Sequence, residues 1–122
     1  MKIPTLALAL LTLVLPLTTP VLADNLKPFM ACHTRAPAIA NGIVDFCRKS
    51  DIVVPSRYAS NGKVAGDAVV RIVGHACPPG SQWVPQQYCQ SQFFDICNTH
   101  QGGLGSARYG RDGCQFFTIQ RK

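Results

Sequence analysis

Apolar and polar positions follow different rhythms along this chain, and the changes of rhythm divide it into segments. Leu6 to Leu17 is an apolar run of twelve residues, broken only by Thr12 and Pro16. It falls short of the roughly 20 residues needed to cross a bilayer. Lys2 precedes it, and Val21 and Ala23 stand where a signal peptidase reads the −3 and −1 positions. Residues 1–23 therefore read as a signal peptide, leaving residues 24–122 as one secreted, extracellular domain.

Beyond it, Leu26 to His33 alternates loosely and predicts a strand. Thr34 is a cap residue, and Pro37 is tolerated in a first helical turn. Ile39, Ile43, Val44, Phe46 and Cys47 recur at helical spacing, predicting a helix over 36–49. Asp51 to Val54 is short and β-branched, and Pro55 after it suits an edge strand. Asn61-Gly62 signals a hairpin turn. Ala68 to Ala76 is the strongest strand pattern, ended by Pro78-Pro79-Gly80. Tyr88, Cys89, Gln92, Phe93, Ile96 and Cys97 form one stripe and predict a helix over 85–99, with Pro85 at its first position. Gly102 to Gly113 reads as a glycine-rich loop, and Cys114 to Ile119 as a last strand.

The predicted order is β-α-β-β-α-β. With right-handed crossovers this gives an α+β, ferredoxin-like two-layer sandwich: a four-stranded antiparallel sheet, order 4-1-3-2, with two helices on one face. The alternative is a small mixed fold with one helix packed on a β-barrel.

Cysteine sharpens the picture. All six (Cys32, Cys47, Cys77, Cys89, Cys97, Cys114) lie after residue 23. An even count behind a secretory leader predicts three disulfides. The cysteine spacings match no zinc motif. In the predicted sandwich, Cys47 and Cys77 fall at one end and form the favoured pair. Cys32–Cys97 and Cys89–Cys114 follow, out of fifteen possible connectivities.

Charge adds a hint of partner. Residues 24–122 carry eleven Lys and Arg, six Asp and no Glu, a net of +5. Such a surface suits an anionic lipid, an acidic polysaccharide or nucleic acid, and it also simply keeps a protein soluble.

Three short stretches carry a resemblance. Gly74-His75-Ala76-Cys77, Gln92-Phe93-Phe94-Asp95-Ile96-Cys97 and Asp112-Gly113-Cys114-Gln115 resemble the subunits of the virally encoded smut-fungus killer toxin six and the fungal secreted effectors sharing its fold. Cys32 and Cys47 fit the family's earlier cysteines. Only Cys32 stands where the toxin has Cys-x-Cys, and Cys89 lies outside the shared pattern. The resemblance implies a cysteine-rich fungal effector or toxin-like protein that acts by binding.

Catalytic constellations are sparse. Acid–base hydrolysis of RNA calls for histidine with a carboxylate. His33, His75 and His100 are the histidines, and the predicted topology brings His33 and His100 to one end. Oxidised cysteines supply no thiolate, and no G-x-S-x-G elbow is present. Gly102-Gly103-x-Gly105 follows a helix, not a strand, and is no dinucleotide fingerprint. No catalytic residue, metal or cofactor is assigned. The candidate binding residues are Trp83 and Tyr88 as aromatic anchors, and Arg108, Tyr109 and Arg111 as a basic patch with an aromatic.

The sequence thus points to a secreted, monomeric, non-enzymatic effector or toxin-like virulence protein. Its expected partner is a host or competitor protein or surface, with nucleic acid not expected. An antifungal protein acting on membranes of competing fungi, and a degenerate secreted hydrolase or ribonuclease, are the alternatives.

Overall fold

A computed structural model describes residues 24–122. The leader expected over residues 1–23 lies outside the described residues. Among the described residues four α-helices, two antiparallel sheets and three disulfides make an α+β protein.

The chain opens with two helices, α1 (Leu26–Arg35) and α2 (Pro37–Phe46). Strand β1 (Ile52–Val54) and the short α3 (Arg57–Asn61) follow. Next come β2 (Lys63–Ala65), β3 (Ala68–Gly74) and β4 (Gln82–Val84). The long helix α4 (Gln86–Thr99), β5 (Gly105–Tyr109) and β6 (Gln115–Arg121) complete the chain. The larger sheet has the order β2-β3-β6-β5, and β1 pairs separately with β4.

The predicted strand over 26–33 is a helix. Its apparent alternation comes from Leu26 and Met30, which are exposed, while Phe29 and Cys32 face inward at helical spacing. Losing that strand corrects the 4-1-3-2 order. β3 now pairs directly with β6, from Ala68↔Arg121 to Gly74↔Gln115. The loop expected over 102–113 contains β5, an edge strand pairing with β6 from Gly105↔Ile119 to Tyr109↔Gln115. The hairpin turn is Gly66-Asp67, where Gly66 has φ +68°. Asn61-Gly62 ends α3 instead. The helix expected over 36–49 stops at Phe46, so Arg48 and Lys49 lie in an exposed turn.

The new neighbours also correct two disulfides. The end of β3 meets the start of β6, where the His75 N–H donates to the Cys114 carbonyl at 2.9 Å, and Cys77 bonds Cys114. Cys47, at the end of α2, meets the first turn of α4 and bonds Cys89. Neither Cys47–Cys77 nor Cys89–Cys114 forms. Cys32–Cys97 is present and ties α1 to α4.

The core lies between the larger sheet and the helices. Phe93 of α4 stands 4.6 Å from Phe117 of β6, ring to ring. Gly42 of α2 sits so close to β2 that a Cβ there would collide with Ala65 and touch Val70. Ala65, Val70, Ile72, Phe117 and Ile119 are all buried on that one face. Strand residues alternate in direction, so Val64, Val69, Arg71, Val73, Ser106, Arg108, Phe116, Thr118 and Gln120 point the other way.

Candidate binding surface

The outward sheet face is built in rows by the strand register. Val64 of β2, Val69 of β3 and Gln120 of β6 form one row. Arg71, Thr118 and Ser106 form the next, and Val73, Phe116 and Arg108 the third. Val64, Ser106, Arg108 and Gln120 are exposed, and Val69, Arg71, Val73 and Phe116 half-buried. This is an apolar floor carrying two guanidinium groups, a hydroxyl pair and an amide.

Local contacts hold the two arginines at the surface. The Arg108 guanidinium carbon lies 5.4 Å from the centre of the Phe116 ring. Arg71 Nη2 donates to Gln120 Oε1 at 3.4 Å, a long and weak bond. The ion pairs among the described residues are Arg48–Asp45, Lys49–Asp51, Lys63–Asp45 and Arg121–Asp67. Arg71 and Arg108 are in none of them. No aspartate occupies an outward strand position of this sheet, and the nearest along the chain, Asp67 in the β2–β3 turn, is paired with Arg121. Thr118 is 2 % exposed, and its hydroxyl has no hydrogen-bond partner.

The structure separates the residues picked out from the sequence. Arg108 points outward on β5. Tyr109, one position on, points inward and packs edge-on against Phe117 at 4.9 Å. Burial, with the Asp95 charge as a smaller cause, raises its hydroxyl pKa. Arg108 and Tyr109 therefore do not share a surface, because consecutive strand positions face opposite ways. Arg111 sits in the turn before β6. Its N–H donates to Gln82 Oε1 at 3.2 Å and its carbonyl accepts from Gln82 Nε2 at 3.1 Å. This clamp fixes the turn and leaves the side chain exposed.

Trp83 lies on β4 and is 61 % exposed, with its indole N–H donating to the Ser50 carbonyl at 3.2 Å. It anchors on the 48–51 turn and not on the start of α4. In that turn Lys49 bonds Asp51 at 3.1 Å and holds the Asp51 carboxyl below its ordinary pKa. Tyr88 is exposed on α4 and helps line a shallow cleft of about 220 Å³ with Asp24, Asn25, Gln87 and Ser91. A small-molecule site usually encloses roughly 300–1,000 Å³. This cleft is smaller, holds no cation and lies on other elements than the basic sheet face.

The three histidines have separate surroundings. His33 lies tilted beside Phe29, ring centres 5.5 Å apart, and His75 lies 6.4 Å from the Phe116 ring. His100 closes α4, with Nδ1 2.9 Å from the Ile96 carbonyl oxygen and 3.2 Å from Thr99 Oγ1. Their neighbours are aromatic rings, a carbonyl and a hydroxyl. Among the described residues no group of three or more His, Cys, Asp or Glu could hold a metal ion.

Sequence reading missed Arg71, Phe116 and Thr118. The signal was present: Val69-Val70-Arg71-Ile72-Val73 and Phe116-Phe117-Thr118-Ile119 each read as one buried and one outward set once both are strands. Compared with known protein families, curated proteins and solved structures, this chain finds no match in any of the three.

Proposed function

We propose that this protein is a secreted effector or toxin-like protein of the kind its resemblance to the smut-fungus killer toxin six family implies, acting by binding and not by catalysis. The single observation that carries this reading is the solvent-open sheet face, where Arg71 and Arg108 stand over an apolar floor without ion-pair partners. Helices α2 and α4 occupy the opposite face, so this surface is left open to a partner.

Three disulfides fit an extracellular protein. Among the described residues no helix is long and apolar enough to cross a membrane. The ferredoxin-like architecture with the 4-1-3-2 order is set aside, since β3 and β6 are neighbours. Two helices on one face of a four-stranded antiparallel sheet remain in common with that expectation.

The test is to express the full chain in a yeast, recover it from the medium, and assay turnover and surface binding side by side. The reading expects a mature N-terminus at Asp24, unchanged RNA and polysaccharide after long incubation, and saturable binding to host or competitor cells. Retention inside the producing cell, turnover that co-purifies with the protein, or no saturable binding overturns it.

A further inference from the structure

The outward sheet face combines features that together select one ligand chemistry. Two guanidinium groups, on β3 and β5, flank β6 from opposite sides. Guanidinium forks pair best with planar carboxylates or with phosphates. Ser106 on β5 and Gln120 on β6 stand in the rows beside them and offer a hydroxyl and an amide at the surface. The buried Thr118 hydroxyl has no partner, and its register neighbours on this face are Arg71 and Ser106. Val69 and Val73, both half-buried, supply a small apolar floor beside the cations.

Three polyanions compete for such a face. Single-stranded nucleic acid is bound by successive exposed aromatic rings on which bases stack. Here the one aromatic ring, Phe116, is half-buried and already covered by the Arg108 guanidinium. A membrane surface needs a cluster of cations with large exposed apolar anchors. This face has two cations, and its most exposed apolar side chain is Val64. A uronic-acid polymer presents carboxylates and hydroxyls together at short repeat, which matches arginine, hydroxyl and amide groups side by side. We propose that the outward face of the β2-β3-β6-β5 sheet binds an acidic polysaccharide, with Arg71 and Arg108 holding sugar carboxylates and the exposed Ser106 and Gln120 meeting sugar hydroxyls. This rests on the reading of the protein as a secreted binder and names the partner class of its open face.

The test titrates ¹⁵N-labelled protein, residues 24–122 with disulfides intact, with oligogalacturonate, its methyl ester, a single-stranded oligonucleotide and phosphatidylserine vesicles. The expected result is saturable binding of oligogalacturonate, with shifts centred on Arg71, Ser106, Arg108 and Thr118. Arg71→Gln and Arg108→Gln should each weaken it roughly tenfold, the loss of one charge-assisted hydrogen-bonding group. Lys27→Gln and Arg57→Gln, on α1 and α3, should leave it unchanged. Equal affinity for the methyl ester overturns the proposal, as does tighter binding of the oligonucleotide or vesicles. So does equal loss in all four variants, which would reduce the effect to net charge. If the protein is secreted and binds cells saturably yet ignores oligogalacturonate, only this proposal fails. If it is not secreted, or turns over a substrate, the functional reading fails first.

Discussion

Arg108 of β5 and Phe116 of β6 are register partners, and the guanidinium lies 5.4 Å from the ring centre on the solvent side of the sheet. An exposed cation–π pair of this kind contributes about 0.5–1 kcal/mol. Arg108→Gln should therefore lower unfolding stability by no more than about 1 kcal/mol in guanidinium denaturation. A loss well above that would make Arg108 a structural residue and not a surface one.

The two faces of β6 predict unequal costs at adjacent positions. Phe117 is fully buried, 4.6 Å from Phe93 and 4.9 Å from Tyr109. Phe117→Ala should cost about 3–5 kcal/mol, the sum of lost transfer energy and an unfilled cavity. Phe116 is half-buried on the open face, and Phe116→Ala should cost about 1 kcal/mol. Equilibrium unfolding of both variants checks the assignment of faces. Equal losses would contradict the register.

Those faces also show what could be read from the sequence and what could not. The helix at Gln86–Thr99 and the strand patterns at Ala68 and Cys114 are long, with strong periodicity, and local pattern suffices for them. Leu26 to Arg35 failed because two exposed apolar residues, Leu26 and Met30, imitate an alternating strand. β5 failed because Gly105-Ser-Ala-Arg-Tyr is an edge strand with few β-forming residues, held by its pairing with β6. Both errors are tertiary in origin, and together they displaced β6 from beside β3. The Cys47–Cys77 and Cys89–Cys114 pairings fell with that misplaced strand, and Arg71 was missed for the same reason, since its partners are Thr118 and, beyond it, Ser106. Arg108 was legible as a basic residue near the C-terminal strand, but its separation from Tyr109 required knowing that both lie in a strand.

The disulfides staple helix to helix and strand to strand, each closing a long loop. Cys47–Cys89 spans 42 residues and joins α2 to α4 across the core. Replacing both by alanine should cost about 2–5 kcal/mol, mostly by freeing the unfolded chain. Thermal unfolding checks the cost, and mass spectrometry of the unreduced wild-type digest checks the pairing. A Cys47–Cys77 peptide would contradict the β3–β6 adjacency.

Alkaline pH should weaken the fold through Tyr58. Burial, then the charge of Asp45, raises its pKa above the ordinary value of 10.0. Its hydroxyl donates to the Phe46 carbonyl at 2.7 Å and its ring stacks on Phe46 at 5.2 Å. The folded state therefore holds this proton more tightly than the unfolded chain. Its contribution is complete below about pH 10 and declines as pH rises from there through the folded pKa. Tyr58→Phe should remove its share of the alkaline decline, leaving that of Tyr109, and lose about 1 kcal/mol at neutral pH with the hydrogen bond. Stability measured across pH 8 to 11 in both proteins tests this, and parallel curves would refute it.

The most direct measurement compares two charge-matched double variants in the cell-surface binding assay. Arg71→Gln/Arg108→Gln removes two cations from the open sheet face, and Lys27→Gln/Arg57→Gln removes two from the helices. Both keep the core and the disulfides, and both have the same net charge. The account predicts that the sheet-face variant loses saturable binding while the helix variant keeps it. Equal loss in both, or full binding by the sheet-face variant, would contradict the claim that this face is where the protein meets its partner.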